Sequence, residues 1–396
     1  MAKLDFAAFD ADNHYYEATD AFTRHIEPQF ARRAMQWAQI GGKTRLLVAG
    51  QVNSFIPNPT FDPVARPGCL DDYYRGHNPK GLGMRELFGA LEPINPAYRK
   101  RDARLEVMDT QGLERAFFFP TLGVGMEEVL KHDPDACHAA FRAFNRWLEE
   151  DWGFAYKERI YATPYITLLD VDQAVAELDS LLKRGVRVLV MRAAPVACAD
   201  RSCSPADRRF DPFWARVNEA GITVTGHGGD SGYGSFAEAW GEGGKTEAFR
   251  SSPFKMLMGA RPAYDWFAAL IAHRLFERFP NLRIASIEMG SFWVPQLLQA
   301  LRRGYGQEPG QFAGDPVETF RRHVWTAPFH EDDVPGLKEL VGADRMLLGS
   351  DWPHAEGLPE PTDFVDELKG FTRKEIRQVM RDNALFLSQP RPASAA

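Results

Sequence analysis

Near the end of the chain, Arg345-Met346-Leu347-Leu348 reads as a buried strand. Gly349-Ser350-Asp351-Trp352-Pro353-His354 follows it and delivers a carboxylate and an imidazole at the strand's exit. Close to the other terminus, Phe9-Asp10-Ala11-Asp12-Asn13-His14 makes a similar delivery. On a strand, residues i and i+2 share a face, so Asp12 and His14 can converge on one point. His227 and Glu288 close two further apolar runs. A lone strand-end His is most often a satisfied structural group, and a lone Asp at a strand–helix junction is usually a helix cap. Several ionisable groups on one rim are different, because Asp12, Glu288 and Asp351 would repel one another unless a cation neutralised them. Two imidazoles with two or three carboxylates form a mixed nitrogen–oxygen set suited to one divalent transition ion: zinc, manganese, cobalt or iron.

Residues so far apart in sequence meet only if the first and last strands are neighbours. Short apolar runs recur as candidate strands at Phe6–Asp12, Arg115–Pro120, Ile160–Ile166, Val186–Arg192, Ile222–His227, Arg283–Glu288, Val324–Ala327 and Met346–Asp351. Helical patterns lie between them, clearest at Val171–Arg184, where Val171, Ala174, Val175, Leu178, Leu181 and Leu182 fall at helical spacing. Others are expected at 99–111, 135–157, 212–220, 263–279 and 294–303. Eight strand–helix alternations predict parallel pairing in a closed (β/α)8 barrel of the TIM type. An open nucleotide-binding sheet lacks its glycine signature here. Insertions are expected after strands 1 and 5. Residues 41–98 carry a hairpin (Thr44–Val48, then Gln51–Phe55) with prolines and aromatics; residues 228–260 are rich in glycine and include Tyr233, Phe236 and Trp240. Both would roof the catalytic face. Residues 1–388 are read as one domain, and 389–396 as a flexible tail.

The 396 residues carry a formal charge of −7 and no basic stripe, which disfavours a nucleic-acid partner. The N-terminus lacks a signal-peptide layout, and no apolar run is of membrane-spanning length. Four cysteines without a C-x-x-C pair suit a reduced, cytoplasmic setting. The expected partner is a small-molecule substrate, and a homo-oligomer is compatible with this composition.

The acid-x-His at strand 1, His227 in T-G-H-G-G, Phe279-Pro280-Asn281-Leu282-Arg283-Ile284 and the terminal G-S-D-x-P-H resemble the amidohydrolase superfamily. The likeness is to its amidohydrolase-related branch, which includes aminocarboxymuconate semialdehyde decarboxylase and γ-resorcylate-type decarboxylases. The resemblance implies a metal held by Asp12, His14, His227 and Asp351. It departs where many members have a sixth-strand His: here the sequence is Glu288-Met289-Gly290-Ser291. Glu288 then ligates, accepts a proton or orients the metal-bound water. The leading expectation is a metal-dependent hydrolase that cleaves an acyl bond (ester, thioester, amide or C–C) of a bulky, largely apolar carbonyl substrate. Asp351 or Glu288 would move the proton, and His354 or His330 would stabilise the oxyanion. The alternative is non-oxidative decarboxylation of an aromatic or unsaturated carboxylic acid; a barrel retained only for binding ranks third. Arg192, Trp352 and Phe329 are expected to contact substrate, Arg192 by clamping a carboxylate. Asp10, one layer deeper than Asp12, is expected to support the ligands.

Overall fold

Strands covered on both faces have no solvent side, and their sequences stay apolar throughout rather than alternating. Ala8–Tyr15, Thr223–His227 and Arg283–Ile287 accordingly are buried at every position. The computed structural model describes residues 4–393 apart from 245, 250 and 251. In it, Ala8–Tyr15, Leu113–Pro120 and Ile160–Ala162 form one parallel sheet in that order. Val188–Arg192, Thr223–His227, Arg283–Ile287 and Val324–Thr326 form a second, also parallel and in sequence order. The fold is thus mixed α/β with parallel sheets.

The single continuous sheet expected from the sequence is interrupted at two places. The third strand stops at Ala162, two residues before Pro164, which has no N–H to give to a ladder. The Pro164 carbonyl still accepts from the Val190 N–H (3.0 Å), and Tyr165 makes an isolated parallel bridge to Val190. The expected eighth strand, Met346–Asp351, is not a regular strand at all. Leu347 donates to the Thr326 carbonyl, but Leu348 turns its N–H to Val379 instead. Farther on, isolated parallel bridges pair Thr326 with Met346 and Asn13 with Trp352.

Helices cover the sheets. Val171–Lys183 starts under the Asp170 carboxylate, which accepts from the Gln173 N–H, and buries Ala174, Leu178 and Leu181. Two expected helices are shorter. Pro134–Asp151 ends before Gly153, which sits at φ +81°, instead of running to 157. The 263–279 segment splits into Arg261–Ala272 and Leu275–Arg278 around Arg274, at φ +59°. In the first insertion, Lys43–Val48 and Gln51–Val52 make the expected hairpin, with Ala49 and Gly50 both at positive φ as a tight two-residue turn requires. An additional strand, Met35–Ile40, pairs antiparallel with Lys43–Val48. No helix among the described residues is long and apolar enough to cross a membrane.

The described part of the expected tail is held, which corrects the expectation for 389–393; residues 394–396 lie outside the described residues. The Arg391 N–H donates to the Gly221 carbonyl, the Asn281 amide donates to the Arg391 carbonyl (both 2.8 Å), and Arg283 reaches the Gln389 carbonyl (3.0 Å). Gly221 ends the Asp211–Ala220 helix in the left-handed region (φ +59°), and a Cβ there would lie 1.9 Å from the Arg391 carbonyl oxygen. Gly221→Ala should therefore destabilise the fold by ~1–3 kcal/mol in denaturant titration. Part of that loss should vanish in a chain ending at Ser388, because only the clash depends on the docked segment. An equal penalty in both backgrounds would show that the segment is not seated there.

Candidate metal centre

The exits of the strands bring five ionisable groups together. His14 Nε2 lies 3.2 Å from Asp12 Oδ1, 3.2 Å from Glu288 Oε2 and 3.3 Å from Asp351 Oδ1. His227 Nε2 lies 3.3 Å from Glu288 Oε2 and 3.6 Å from Asp12 Oδ1. Asp12, His14, His227 and Glu288 offer atoms within 4.8 Å of one another, and so do His14, Glu288, Asp351 and His354, so the four expected ligands are divided between two overlapping groups that share His14 and Glu288. Glu288 (φ +50°) and Asp351 (φ +57°) both occupy the left-handed region that non-glycine residues usually avoid. Gly228 permits the close passage of the two loops: a Cβ there would meet the Glu288 carbonyl oxygen at 2.3 Å.

The facing atoms lack partners. Asp12 Oδ1, His14 Nε2, His227 Nε2 and Asp351 Oδ1 are all shielded from solvent and make no hydrogen bond. His227 Nδ1 lies 2.8 Å from the Gly228 carbonyl oxygen, which can only accept. The ring proton is therefore on Nδ1, and Nε2 presents a bare lone pair to the cluster, the arrangement of a ligating histidine. Burial alone would lower the His14 pKa, but the Asp12 and Glu288 carboxylates outweigh it and push the imidazole up to about 9. Asp12 is held below its ordinary value, since His14 and His227 outweigh its burial. Burial and then the Glu288 charge drive Asp351 well above the usual carboxylate range. Buried carboxylates and imidazoles crowd one point, where a proton on His14 offsets part of the negative charge and a divalent ion would offset more. The mixed donor set and the orphaned atoms fit such an ion.

His354 packs on this cluster, its ring centroid 4.0 Å from that of His14. The Thr121 hydroxyl gives its proton to the Tyr15 carbonyl (2.8 Å), so His354 Nε2–H is the donor in its 2.9 Å contact with Thr121. Burial, with His14 and His227 nearby, holds His354 well below its ordinary pKa. The neutral ring then sets its Nδ1 lone pair 2.6 Å from Asp351 Oδ1, too oblique for a hydrogen bond and unfavourable without a shared proton or cation.

Asp10 occupies the supporting place expected for it. Its carboxylate accepts from Ser350 Oγ (2.5 Å), the Ser350 N–H (3.1 Å), the Asn13 amide (2.8 Å) and the Asp12 N–H (3.1 Å), tying the two ends of the chain together beneath the ligands. Buried Arg104 donates to Asn13 Oδ1 (2.5 Å) and lies over the Trp352 ring at 4.5 Å.

Three other expectations are corrected. His330 is 2.6 Å from Asp71 Oδ1 and lies outside the cluster, pinning the first insertion rather than facing the reacting point. Arg192 is ion-paired with Glu128 and donates to the Asp230 carbonyl (2.9 Å), so its expected carboxylate clamp is already occupied. Trp352 is 5% exposed and sandwiched between Arg104 and Tyr98, which makes it a packing residue. Phe329 and Arg192 both line a chamber of about 520 Å³ that reaches His227 and Glu288.

On its other side the cluster floors a chamber of about 590 Å³, through His14, Glu288 and His354. Phe55, Phe61 and Phe88 of the first insertion and Phe249 of the second form much of its wall. The insertions meet over it: the Phe88 and Phe249 rings are edge-to-face at 5.0 Å, and the Ala248 N–H donates to the Phe55 carbonyl (2.8 Å). Sequence reasoning missed Thr121 and Glu356, which also line this chamber. Burial and then Glu288 push the Glu356 carboxyl up to about 8. Its one local signal is its place in H-A-E-G, two residues beyond His354.

A family model described as Amidohydrolase matches residues 92–387, taking in His227, Glu288 and Asp351 but starting after Asp12 and His14. An amidohydrolase from Mycobacterium avium subsp. paratuberculosis K-10 is 46% identical, with 98% of this chain and 100% of that one covered and a TM-score of 0.93. A dihydroxybenzoic acid decarboxylase from Polaromonas sp. JS666, solved with bound manganese and the inhibitor 2-nitroresorcinol, is 18% identical (81% and 93% covered, TM-score 0.56). 5-Carboxyvanillate decarboxylase from Sphingomonas paucimobilis is 14% identical (96% and 98% covered, TM-score 0.60). At those two identities the likeness is one of fold.

Protein purified without chelator should carry about one divalent transition ion per chain by elemental analysis. Stripping it should lower Tm, because an ion at 100 times its Kd stabilises by ~2.7 kcal/mol. His227→Ala should abolish both the ion and the chelator effect, and affinity should fall on acidification as the ligands take up protons. A metal-free protein whose Tm ignores chelator and added zinc, manganese, cobalt or iron would exclude the centre.

Proposed function

The chain belongs to the amidohydrolase family, and on that premise we propose that it is a metal-dependent, non-oxidative decarboxylase of an aromatic carboxylic acid. The observation that carries this reading is a cluster of orphaned donor atoms whose His14 and Glu288 floor an aromatic-walled chamber. The hydrolase expected first from sequence would use the same centre. What favours the lyase is the likeness in fold to enzymes named for decarboxylating dihydroxybenzoic acid and 5-carboxyvanillate. Both names are of aromatic acids, and an aromatic ring suits a wall of Phe55, Phe61, Phe88 and Phe249.

In this reading Asp12, His14, His227 and Asp351 hold the ion, which when bound supplies positive charge for a substrate carboxylate and for the surrounding acids. The chamber wall takes the ring and excludes water. The C–CO2 bond then breaks, CO2 departs, and the electron pair left on the ring carbon takes up one proton. Glu288 is the group placed to pass that proton: its side chain is 24% exposed, the most open of the cluster, and it lines both chambers. His354, anchored by Thr121, packs on the His14 ring beside Asp351. Asp10 fixes the backbone that carries Asp12 and Ser350.

We also read the two parallel sheets as one closed (β/α)8 barrel within a single domain. The isolated parallel bridges Tyr165–Val190, Thr326–Met346 and Asn13–Trp352 support this, since they fall at the gaps that a ring of eight would have to span.

Glu288→Gln should keep the fold and the metal, yet slow turnover by roughly 10²-fold or more if Glu288 delivers the proton. If metal content falls in step with rate, Glu288 is a ligand instead. Incubation with panels of aryl carboxylates and acyl thioesters, assayed for CO2 and for free thiol, separates the reactions. Thiol release without CO2 would return the assignment to hydrolysis.

A further inference from the structure

Two chambers end on the same cluster, and the reaction proposed above uses one of them. The first is floored by His14, Glu288 and His354, and the second reaches His227 and Glu288. Val124, Gly229 and Glu288 line both. Val124 and Gly229 form a divider: the Asp230 N–H donates to the Val124 carbonyl (3.2 Å), and a Cβ on Gly229 would lie 2.6 Å from that carbonyl oxygen. The divider is tied a second time. The buried Glu17 carboxylate accepts from the Leu122 and Gly123 N–H groups (both 2.9 Å), which fixes the loop that carries Val124. Glu288 is therefore the common ground of the two chambers, and it stands at the cluster.

The second chamber suits an apolar guest. Met191, Ala193, Ala260, Met289, Phe292 and Phe329 line it, and its volume of about 520 Å³ by itself falls within the ~300–1,000 Å³ of small-molecule sites. A departing CO2 needs far less room. The charged side chains outside the cluster are already engaged. Arg192 is paired with Glu128, and the Asp230 carboxylate accepts from the Gly232 N–H (3.0 Å) and the Thr246 hydroxyl (3.1 Å). Asp332 accepts from the Ser291 N–H (2.6 Å) and hydroxyl (2.9 Å). Those partners leave little for a charged guest. Met256 and Phe292, also on the lining, are 60% and 72% exposed, apolar surface that an apolar group would take out of water.

Resting on the reading of the preceding subsection, we propose that the second chamber is a subsite for a second apolar lobe of the substrate. The acid is then two-lobed: its carboxylate lies at the cluster, its ring in the first chamber, and a group of about ring size, attached beside the carboxylate, in the second. Position on the ring decides which chamber a substituent meets. An ortho group lies level with the carboxylate, at Glu288, where the chambers share a wall. A para group lies at the far end of the ring and stays in the first chamber.

The test is calorimetric binding of benzoic, biphenyl-2-carboxylic and biphenyl-4-carboxylic acids to the metal-loaded protein. The two biphenyl acids have the same size and charge, so the comparison isolates where the second ring goes. Wild type is expected to bind the 2-acid about tenfold or more tightly than either of the others, the gain from burying one further ring. Ala260→Trp, which fills the second chamber, should reduce that preference to within about twofold, with metal content and benzoate affinity unchanged. Phe292→Ser alters an exposed side chain, so it tests the same wall if the tryptophan variant does not fold, and it should weaken the 2-acid alone. The proposal is overturned if wild type shows no preference for the 2-acid, including no binding of any acid, or if both variants keep the wild-type preference. Binding that depends on the second chamber but yields no CO2 from any aryl acid would sink the decarboxylase and leave the subsite standing. CO2 release from one-ring acids with no gain from an ortho lobe would do the reverse.

Discussion

Everything around the centre is arranged by a surplus of buried negative charge. Asp12 and Glu288 approach both imidazoles, and Asp351 approaches that of His14, all within 3.6 Å or less. Carboxylates so placed are tolerated only with compensating positive charge. His14 is drawn toward protonation and Asp351 away from ionisation, two responses to the same deficit. A divalent ion resolves both at once. The unusual local features of the site follow from holding these charges at short range.

The backbone pays for that geometry in conformational strain. Two carboxylates sit on left-handed residues at strand exits, where the chain must turn sharply and aim a side chain back over the strand ends. The Asp10 network opposes that strain. By accepting from both Ser350 and Asp12, one carboxylate fastens the last crossover to the first strand, so residues 340 positions apart keep a fixed spacing. Arg104 extends the fastening outward through Asn13 and the Trp352 ring.

Above the charged floor the chemistry changes. The two insertions supply aromatic rings that meet edge to face, and their mutual backbone hydrogen bond makes one wall of two distant segments. An apolar wall over a charged floor offers one ligand both an apolar and a charged surface. His330 and Asp71 contribute indirectly, by pinning the first insertion to the loop after the seventh strand.

The strand-end acids and imidazoles were legible in the sequence because each follows an apolar run, and a strand's period of two places Asp12 and His14 on one face. The alternation of strands and helices was legible for the same reason: burial on both faces leaves a continuous apolar signature. Other features depended on partners far away in the chain. Leu348 looks like strand interior, yet Val379 takes its N–H; residues 389–393 look like a tail, yet the Gly221 carbonyl and the Asn281 amide hold them. Arg192 and His330 carry the right chemistry at the right strand ends, but Glu128 and Asp71 engage them first. Glu356 gave only one local sign, its place two residues beyond His354, because an unpartnered carboxyl differs from a solvated one mainly in what surrounds it. Side-chain type and periodicity are local properties and survive in sequence; whether a charge is free, paired or orphaned is settled only when distant segments pack against it.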